Sequence, residues 1–85
     1  MTYDYKKTAE RLKALRTERG ISHERMSDAI KKQYGVNMSK QTLINYENAE
    51  EFSTKAGAAK GMSAERMATL ADYFGVSADY LLGIS

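Results

Sequence analysis

Glycine and serine divide this chain into short segments, and that punctuation constrains the fold more than any other feature. Glycine often ends a helix, and serine often caps the start of the next one. Four glycine–serine pairs recur at close spacing, namely Gly20 with Ser22, Gly35 with Ser39, Gly61 with Ser63, and Gly75 with Ser77. Proline is absent from the chain, so the segments between these pairs are free to be helical.

Within the segments, apolar residues recur at three- and four-residue spacing, which predicts amphipathic helices. Leu12 and Leu15 share one face of the first segment, and Met26 and Ile30 share one face of the second. Residues 49–61 contain two glycines and no periodicity, which predicts a loop. The predicted helices are 8–19, 23–33, 40–48, 64–74 and 78–82.

These elements predict an all-α fold, a compact five-helix bundle. A chain of 85 residues allows one domain with one core. We expect residues 1–7 to form a flexible, polar N-terminal arm, because chain ends are commonly poorly ordered. Residues 8–85 then form the single domain.

Composition excludes several classes of protein. The chain has no cysteine and one histidine, which excludes a disulfide framework and a cysteine-ligated zinc site. We expect no enzymatic activity, no cofactor and no metal site, because glycine-rich phosphate loops and nucleophile–base arrangements are missing. No apolar run approaches the ~18 residues of a membrane span, and from the polar start of the chain we expect no signal peptide. We therefore expect a cytoplasmic protein with no membrane partner.

Charge is distributed unevenly along the chain. Residues 1–40 hold ten basic and five acidic side chains, a balance of +5, whereas residues 41–85 hold three and six, a balance of −3. A basic first half suits a polyanionic partner. The alternative is a solvated surface of mixed charge, and the charge pattern alone does not decide between the two.

The third predicted helix combines an apolar face with an unusual polar one. Leu43 and Tyr46 lie one turn apart and predict its inward face, which leaves Lys40, Gln41 and Asn45 on the outer face. Lysine pairs with guanine acceptors in the DNA major groove, and glutamine or asparagine pairs with adenine. The face therefore indicates a DNA-reading helix. A polar helix face in solvent is the alternative that spacing leaves open.

Two neighbouring residues fit the DNA-reading hypothesis. Ile44 can contact a thymine methyl group. The Ser39 hydroxyl and the first backbone N–H groups of the helix suit a phosphate.

Four pieces of the sequence carry a resemblance to a known family. They are RLKALRTERGIS at 11–22, SKQTLINYEN at 39–48, MATLADYFGVS at 67–77 and SADYLLG at 77–83. In this order they resemble the helix-turn-helix domain of Cro and phage repressors, also called the xenobiotic-response-element type. The resemblance implies a lambda-repressor-like bundle that binds DNA.

The resemblance also assigns roles to individual residues. The family's base-reading positions fall on Lys40, Gln41 and Asn45, already singled out above. Its phosphate-contacting positions fall on Ser39 and Thr42. His23 falls where relatives usually carry a glutamine that contacts the DNA backbone, and Arg25 near it is a further candidate phosphate contact.

An ion pair is implied as well. Arg16 and Glu47 fall where relatives often join the first helix to the end of the recognition helix. We expect this pair to be structural and not to contact DNA.

Two segments depart from the family pattern. IKKQYGVNMSK at 30–40 is longer than in relatives, so either the second helix is extended or the turn is enlarged. The segment 49–61 is also long. Lys55 and Lys60 in it are candidate phosphate contacts, although two glutamates in the same segment would be repelled by DNA.

The resemblance implies a sequence-specific, double-stranded DNA-binding transcriptional regulator of the phage or prophage repressor type, with its recognition helix at about 40–48. We expect a homodimer on a near-palindromic operator with half-sites about 34 Å apart. Relatives with an oligomerisation domain continue beyond the last helix, so a missing C-terminal domain and a small complete regulator are both open.

Two other functions stay open on the same fold. The first is an antitoxin-like protein-binding module, whose sign would be a large exposed apolar patch away from the recognition helix, with Phe52 and Ile84 as candidates. The second is a purely structural helical domain. The polar residues of the third helix argue against the second, because a helix that serves only the core does not need them.

Overall fold

The computed structural model describes residues 5–48 and 64–83, and all regular structure within them is α-helical. The five helices are α1 (Tyr5–Arg19), α2 (His23–Tyr34), α3 (Lys40–Glu47), α4 (Ala64–Phe74) and α5 (Ala78–Leu82). The predicted all-α, five-helix fold is therefore confirmed. The predicted loop at 49–61 lies outside the described residues.

Helix α1 differs most from the prediction, because it begins at Tyr5 and not at residue 8. Residues 5–7 of the predicted flexible arm thus belong to the first turn of this helix, and the rest of the arm lies outside the described residues. Thr8 explains the earlier start. It is completely buried, and its hydroxyl donates to the carbonyl of Leu81 in α5, so tertiary contacts hold the N-terminal part of α1.

Several helices begin and end at the serine and glycine positions that the sequence predicts. A serine side chain accepts a hydrogen bond from the backbone N–H three residues later at the starts of α2, α3 and α5; the caps are Ser22, Ser39 and Ser77. Gly35 ends α2 with φ of 69°, and its N–H donates to the carbonyl of Lys31. Glycine adopts this left-handed conformation without the steric cost of a Cβ atom. The predicted cap Ser63 lies outside the described residues.

One apolar core joins the helices. Helix α1 packs against α3 and α5, α2 packs against α3 and α4, and α4 packs against α5. The buried apolar side chains of this core are Leu12, Met26, Ile30, Met38, Leu43, Tyr46, Met67, Leu70, Ala71, Phe74 and Leu81. Met38 is fully buried, although it lies between the predicted second and third helices.

Polar contacts tie the edges of the core together. The Arg11 guanidinium lies 4.2 Å from the ring centroid of Tyr80, and that of Arg19 lies 4.8 Å from the ring centroid of Tyr73. These contacts fasten α1 to α5 and α4. The Tyr34 hydroxyl donates to Oδ2 of Asp72 at 2.7 Å and links α2 to α4.

The bond to Asp72 makes the contribution of Tyr34 to stability dependent on pH. The hydrogen bond raises the pKa of the Tyr34 phenol above its ordinary 10.0, and partial desolvation and the Asp72 charge act in the same direction. Because the folded pKa is the higher one, the stabilisation is fully present below about pH 10 and is lost as pH rises through the folded pKa. We expect Tyr34→Phe to remove this decline, measured by urea unfolding at about pH 8 and pH 11. Equal pH dependence in both proteins would contradict the link.

Met38 provides a test of the core. We expect Met38→Ala to lower the free energy of unfolding by about 2–5 kcal/mol, because it leaves a cavity between α2 and α3. Urea denaturation measures the loss. The neighbouring Asn37 side chain is exposed, so Asn37→Ala should change stability by less than about 0.5 kcal/mol. Similar losses in both variants would show that Met38 is not a core residue.

Candidate nucleic-acid interface

The connector between α2 and α3 sets how the two helices meet. Helix α2 runs to Tyr34, and residues 35–39 follow before α3 begins. The length of the segment 30–40 is therefore taken up both by the last turn of α2 and by the connector. Met38 buries its side chain in the core, and its carbonyl accepts a hydrogen bond from the Ser27 hydroxyl of α2. Met38 therefore attaches the connector to the core of the bundle.

Helix α3 is oriented by two buried side chains. Leu43 is 2% exposed and Tyr46 is 1% exposed. The Tyr46 hydroxyl accepts a hydrogen bond of 2.8 Å from Nη1 of Arg66, so its polar end is satisfied inside the bundle. Since both inward positions are occupied, the opposite face of α3 is directed away from the core.

That opposite face carries the predicted DNA-reading residues. Lys40 and Gln41 are exposed, and Ile44 and Asn45 are partly exposed. Nε2 of Gln41 donates to Oδ1 of Asn45 at 3.0 Å, so these two amides form one hydrogen-bonded unit on the surface. The structure therefore brings the predicted base-reading residues together on one side of a single helix.

The start of α3 is ordered by its cap. Oγ of Ser39 accepts from the N–H of Thr42 at 3.2 Å, and the hydroxyls of the two residues lie 2.9 Å apart. Ser39 is exposed and Thr42 partly exposed. The N-terminal end of a helix favours anions through its free N–H groups and its dipole. This end of α3 therefore combines two hydroxyls with a favourable field for a phosphate.

Glu47, at the other end of α3, forms an ion pair with Arg16 of α1. Nε of Arg16 donates to Oε2 of Glu47 at 2.8 Å, and the two side chains are only 17% and 7% exposed. Nη1 of Arg16 also donates to the carbonyl of Ile21 at 2.9 Å. Arg16 thus connects α1 to the segment before α2 and to the end of α3, as expected for a structural ion pair.

His23, a predicted phosphate contact, lies beside Glu47. Its Nε2 atom lies 3.1 Å from Oε2 of Glu47, but the alignment falls outside hydrogen-bond geometry, and this buried nitrogen has no hydrogen-bond partner. The imidazole is 22% exposed. Its Nε2 atom faces the protein, so a phosphate contact made by His23 would have to use another atom.

The remaining predicted contacts are dispersed or undescribed. Arg25 is exposed on α2, where it borders an open groove together with Asp28, Ala29, Lys32 and Gln33. Lys55 and Lys60 lie outside the described residues. In the part of the chain that the structure describes, no cluster of three or more histidine, cysteine or acidic side chains could hold a metal ion. No helix in that part is long and apolar enough to cross a membrane.

Comparison with known proteins identifies the family. The family model described as Helix-turn-helix domain matches residues 9–83, which is most of the chain and includes all of α2, α3 and their connector. The chain belongs to this helix-turn-helix family, and membership indicates a DNA-binding regulator of a typically non-enzymatic kind. No curated protein and no solved structure matches the chain.

Two residues near the site were not assigned their observed roles from sequence. The proximity of His23 to Glu47 depends on how α2 and α3 meet, which no local pattern reports. Arg66 was not singled out, yet it donates to the Tyr46 hydroxyl and also to the carbonyl of Asn37 at 3.3 Å. The ion pair of Arg16 with Glu47, which the family resemblance implied, was the one sequence signal that pointed to the contacts around Glu47.

The ion pair between Arg16 and Glu47 yields a stability prediction. We expect Glu47→Gln to lower the free energy of unfolding by about 3 kcal/mol, because it leaves the partly buried Arg16 guanidinium without its counter-charge. Thermal or urea unfolding measures the change. Glu18 on α1 is exposed, so Glu18→Gln is the matched control and should stay within about 0.5 kcal/mol of wild type. Equal effects would mean that the ion pair contributes no more than a surface charge.

Proposed function

We propose that this protein is a sequence-specific regulator of transcription that binds double-stranded DNA, with α3 in the major groove and α2 across the phosphate backbone. The observation that carries the proposal is the two-sided character of α3. Leu43 and Tyr46 are buried, whereas Lys40, Gln41 and Asn45 lie on the opposite, solvent-facing side. A helix presented in this way is what major-groove recognition requires.

The residue roles follow from the positions on α3. Lys40, Gln41 and Asn45 contact base edges, and Ile44 contacts a thymine methyl group. Phosphates are bound near the start of α3, where the helix end favours an anion. The candidate phosphate-binding residues at that end are Ser39 and Thr42, and the further candidates elsewhere in the chain are His23, Arg25, Lys55 and Lys60.

The proposed assembly is a homodimer on a near-palindromic operator. One module of this size buries about 600–1,000 Å² against DNA, which is small for tight binding, so two copies on half-sites about 34 Å apart are expected. We assign the protein to the phage-repressor type, without catalytic activity or cofactor and in the cytoplasm. The support is the helix-turn-helix family and the four sequence pieces that resemble those repressors.

The antitoxin-like alternative has less support. A protein-binding module needs a sizeable exposed apolar patch. Among the described residues, Tyr80 is the most exposed of the large hydrophobic side chains, at 36%, and the Arg11 guanidinium stacks over its ring. The predicted patch residues Phe52 and Ile84 lie outside the described residues. The described surface therefore favours a polar partner such as DNA.

Selection from a randomised duplex pool tests the proposal directly. At about 0.15 M salt, phosphate attraction is screened beyond roughly 8 Å, so enrichment reports sequence recognition. We expect a palindrome with half-sites one helical turn apart. A single enriched half-site would support base reading but contradict the dimer. No enrichment by the folded protein would contradict the DNA-binding proposal and favour a protein partner.

Salt dependence tests the predicted phosphate contacts at 49–61. Each phosphate contact contributes about 0.9 to the slope of log K against log salt. We expect the double variant Lys55→Ala with Lys60→Ala to weaken binding to every sequence and to reduce the slope by about 1.8. Lys13→Ala, at an exposed position of α1, serves as the charge control. An unchanged slope in the double variant would exclude both lysines from the interface.

A further inference from the structure

We propose that Gln41 and Asn45 recognise one adenine between them, and do not read one base each. This inference rests on the proposed function and specifies how α3 would select sequence. Its starting point is the hydrogen bond from Nε2 of Gln41 to Oδ1 of Asn45 at 3.0 Å. Residues four apart on a helix are surface neighbours, so the two amides act from a common position.

The hydrogen bond determines which groups remain for DNA. A glutamine or asparagine amide has two N–H donors and one carbonyl acceptor. After the bond forms, Gln41 keeps its Oε1 acceptor and one N–H, and Asn45 keeps both N–H donors. The acceptor that is fully available is therefore on Gln41, and the larger donor capacity is on Asn45. Within the described residues, neither side chain has another hydrogen-bond partner.

This division of donor and acceptor matches adenine. In the major groove adenine presents the N7 acceptor beside the N6 amino donor, whereas guanine presents two acceptors, N7 and O6. The Asn45 amide donates to N7 and the Gln41 carbonyl accepts from N6. Guanine at the same place would set O6 against the Gln41 carbonyl, leaving two acceptors facing each other without a proton.

The surroundings of the pair support recognition of an A·T base pair. Ile44 lies between the two amides in sequence, is partly exposed and offers an apolar surface for the thymine methyl group. Buried Leu43 and Tyr46 fix the rotation of α3 about its axis. The backbone positions of Gln41 and Asn45 are therefore set before DNA arrives, and their mutual bond reduces the freedom of both side chains.

The test uses the wild-type protein, Gln41→Ala, Asn45→Ala and the double variant. The preferred duplex is first obtained by selection with the wild type, and dissociation constants are then measured with every base pair of one half-site changed in turn. One further duplex carries 7-deazaadenine, which lacks the N7 acceptor, at the adenine in question. Circular dichroism verifies folding, and Glu18→Ala, at an exposed position of α1 outside the proposed interface, is the control.

Shared recognition predicts a specific pattern of results. Both single variants should lose discrimination at the same A·T pair, by roughly 5- to 150-fold, and the double variant should lose no more than the weaker-binding single variant. The 7-deazaadenine duplex should weaken wild-type binding and leave Asn45→Ala unaffected. Glu18→Ala should behave as wild type throughout.

The failures of the two proposals are distinguishable. Loss of discrimination at two different base pairs, with additive effects in the double variant, would overturn shared recognition while leaving the protein a DNA-binding regulator. A wild-type preference for G·C at the pair affected by both variants would overturn it as well. Absence of any enriched sequence would overturn the proposed function, and the shared recognition with it.

Discussion

Burial of one face of α3 is the interaction on which the rest of the structure depends. This helix has eight residues, and isolated helices of that length are not stable in water. Leu43 and Tyr46 supply the missing free energy by packing into the core, and the hydrogen bond from Arg66 satisfies the Tyr46 hydroxyl. The same burial that makes α3 a helix also decides which of its side chains face outward.

An ion pair attaches the C-terminal end of α3 to α1. The C-terminal end of a helix carries partial negative charge, and Glu47 adds a full carboxylate there. Arg16 offsets both, and it reaches Glu47 from α1 while it also donates to the carbonyl of Ile21. The Arg16 guanidinium therefore connects three parts of the chain. The start of α3, where the electrostatic potential of the helix is positive, stays available for a polyanion.

Local features of the structure could be predicted from sequence, and features set by tertiary contacts could not. Serine caps and glycine ends depend on a few consecutive residues, so the bounds of α4 and α5 agree with prediction. The early start of α1 depends on the contact of Thr8 with Leu81 in α5. Burial of Met38 likewise depends on how α2 meets α3. For the candidate site, periodicity predicted which face of α3 is polar, but the bond between Gln41 and Asn45 depends on side-chain conformations that periodicity does not determine.

The contact between Thr8 and Leu81 has a further consequence. It joins residues 73 positions apart, so α1 and α5 close almost the whole chain into a loop. Closing such a loop is entropically costly and favours folding in which the local helices form before the two ends of the bundle meet. It also places the start of α1 and the end of α5 on the same side of the domain. A circular permutant that joins those two ends could therefore keep the bundle intact while opening the chain at a different connection.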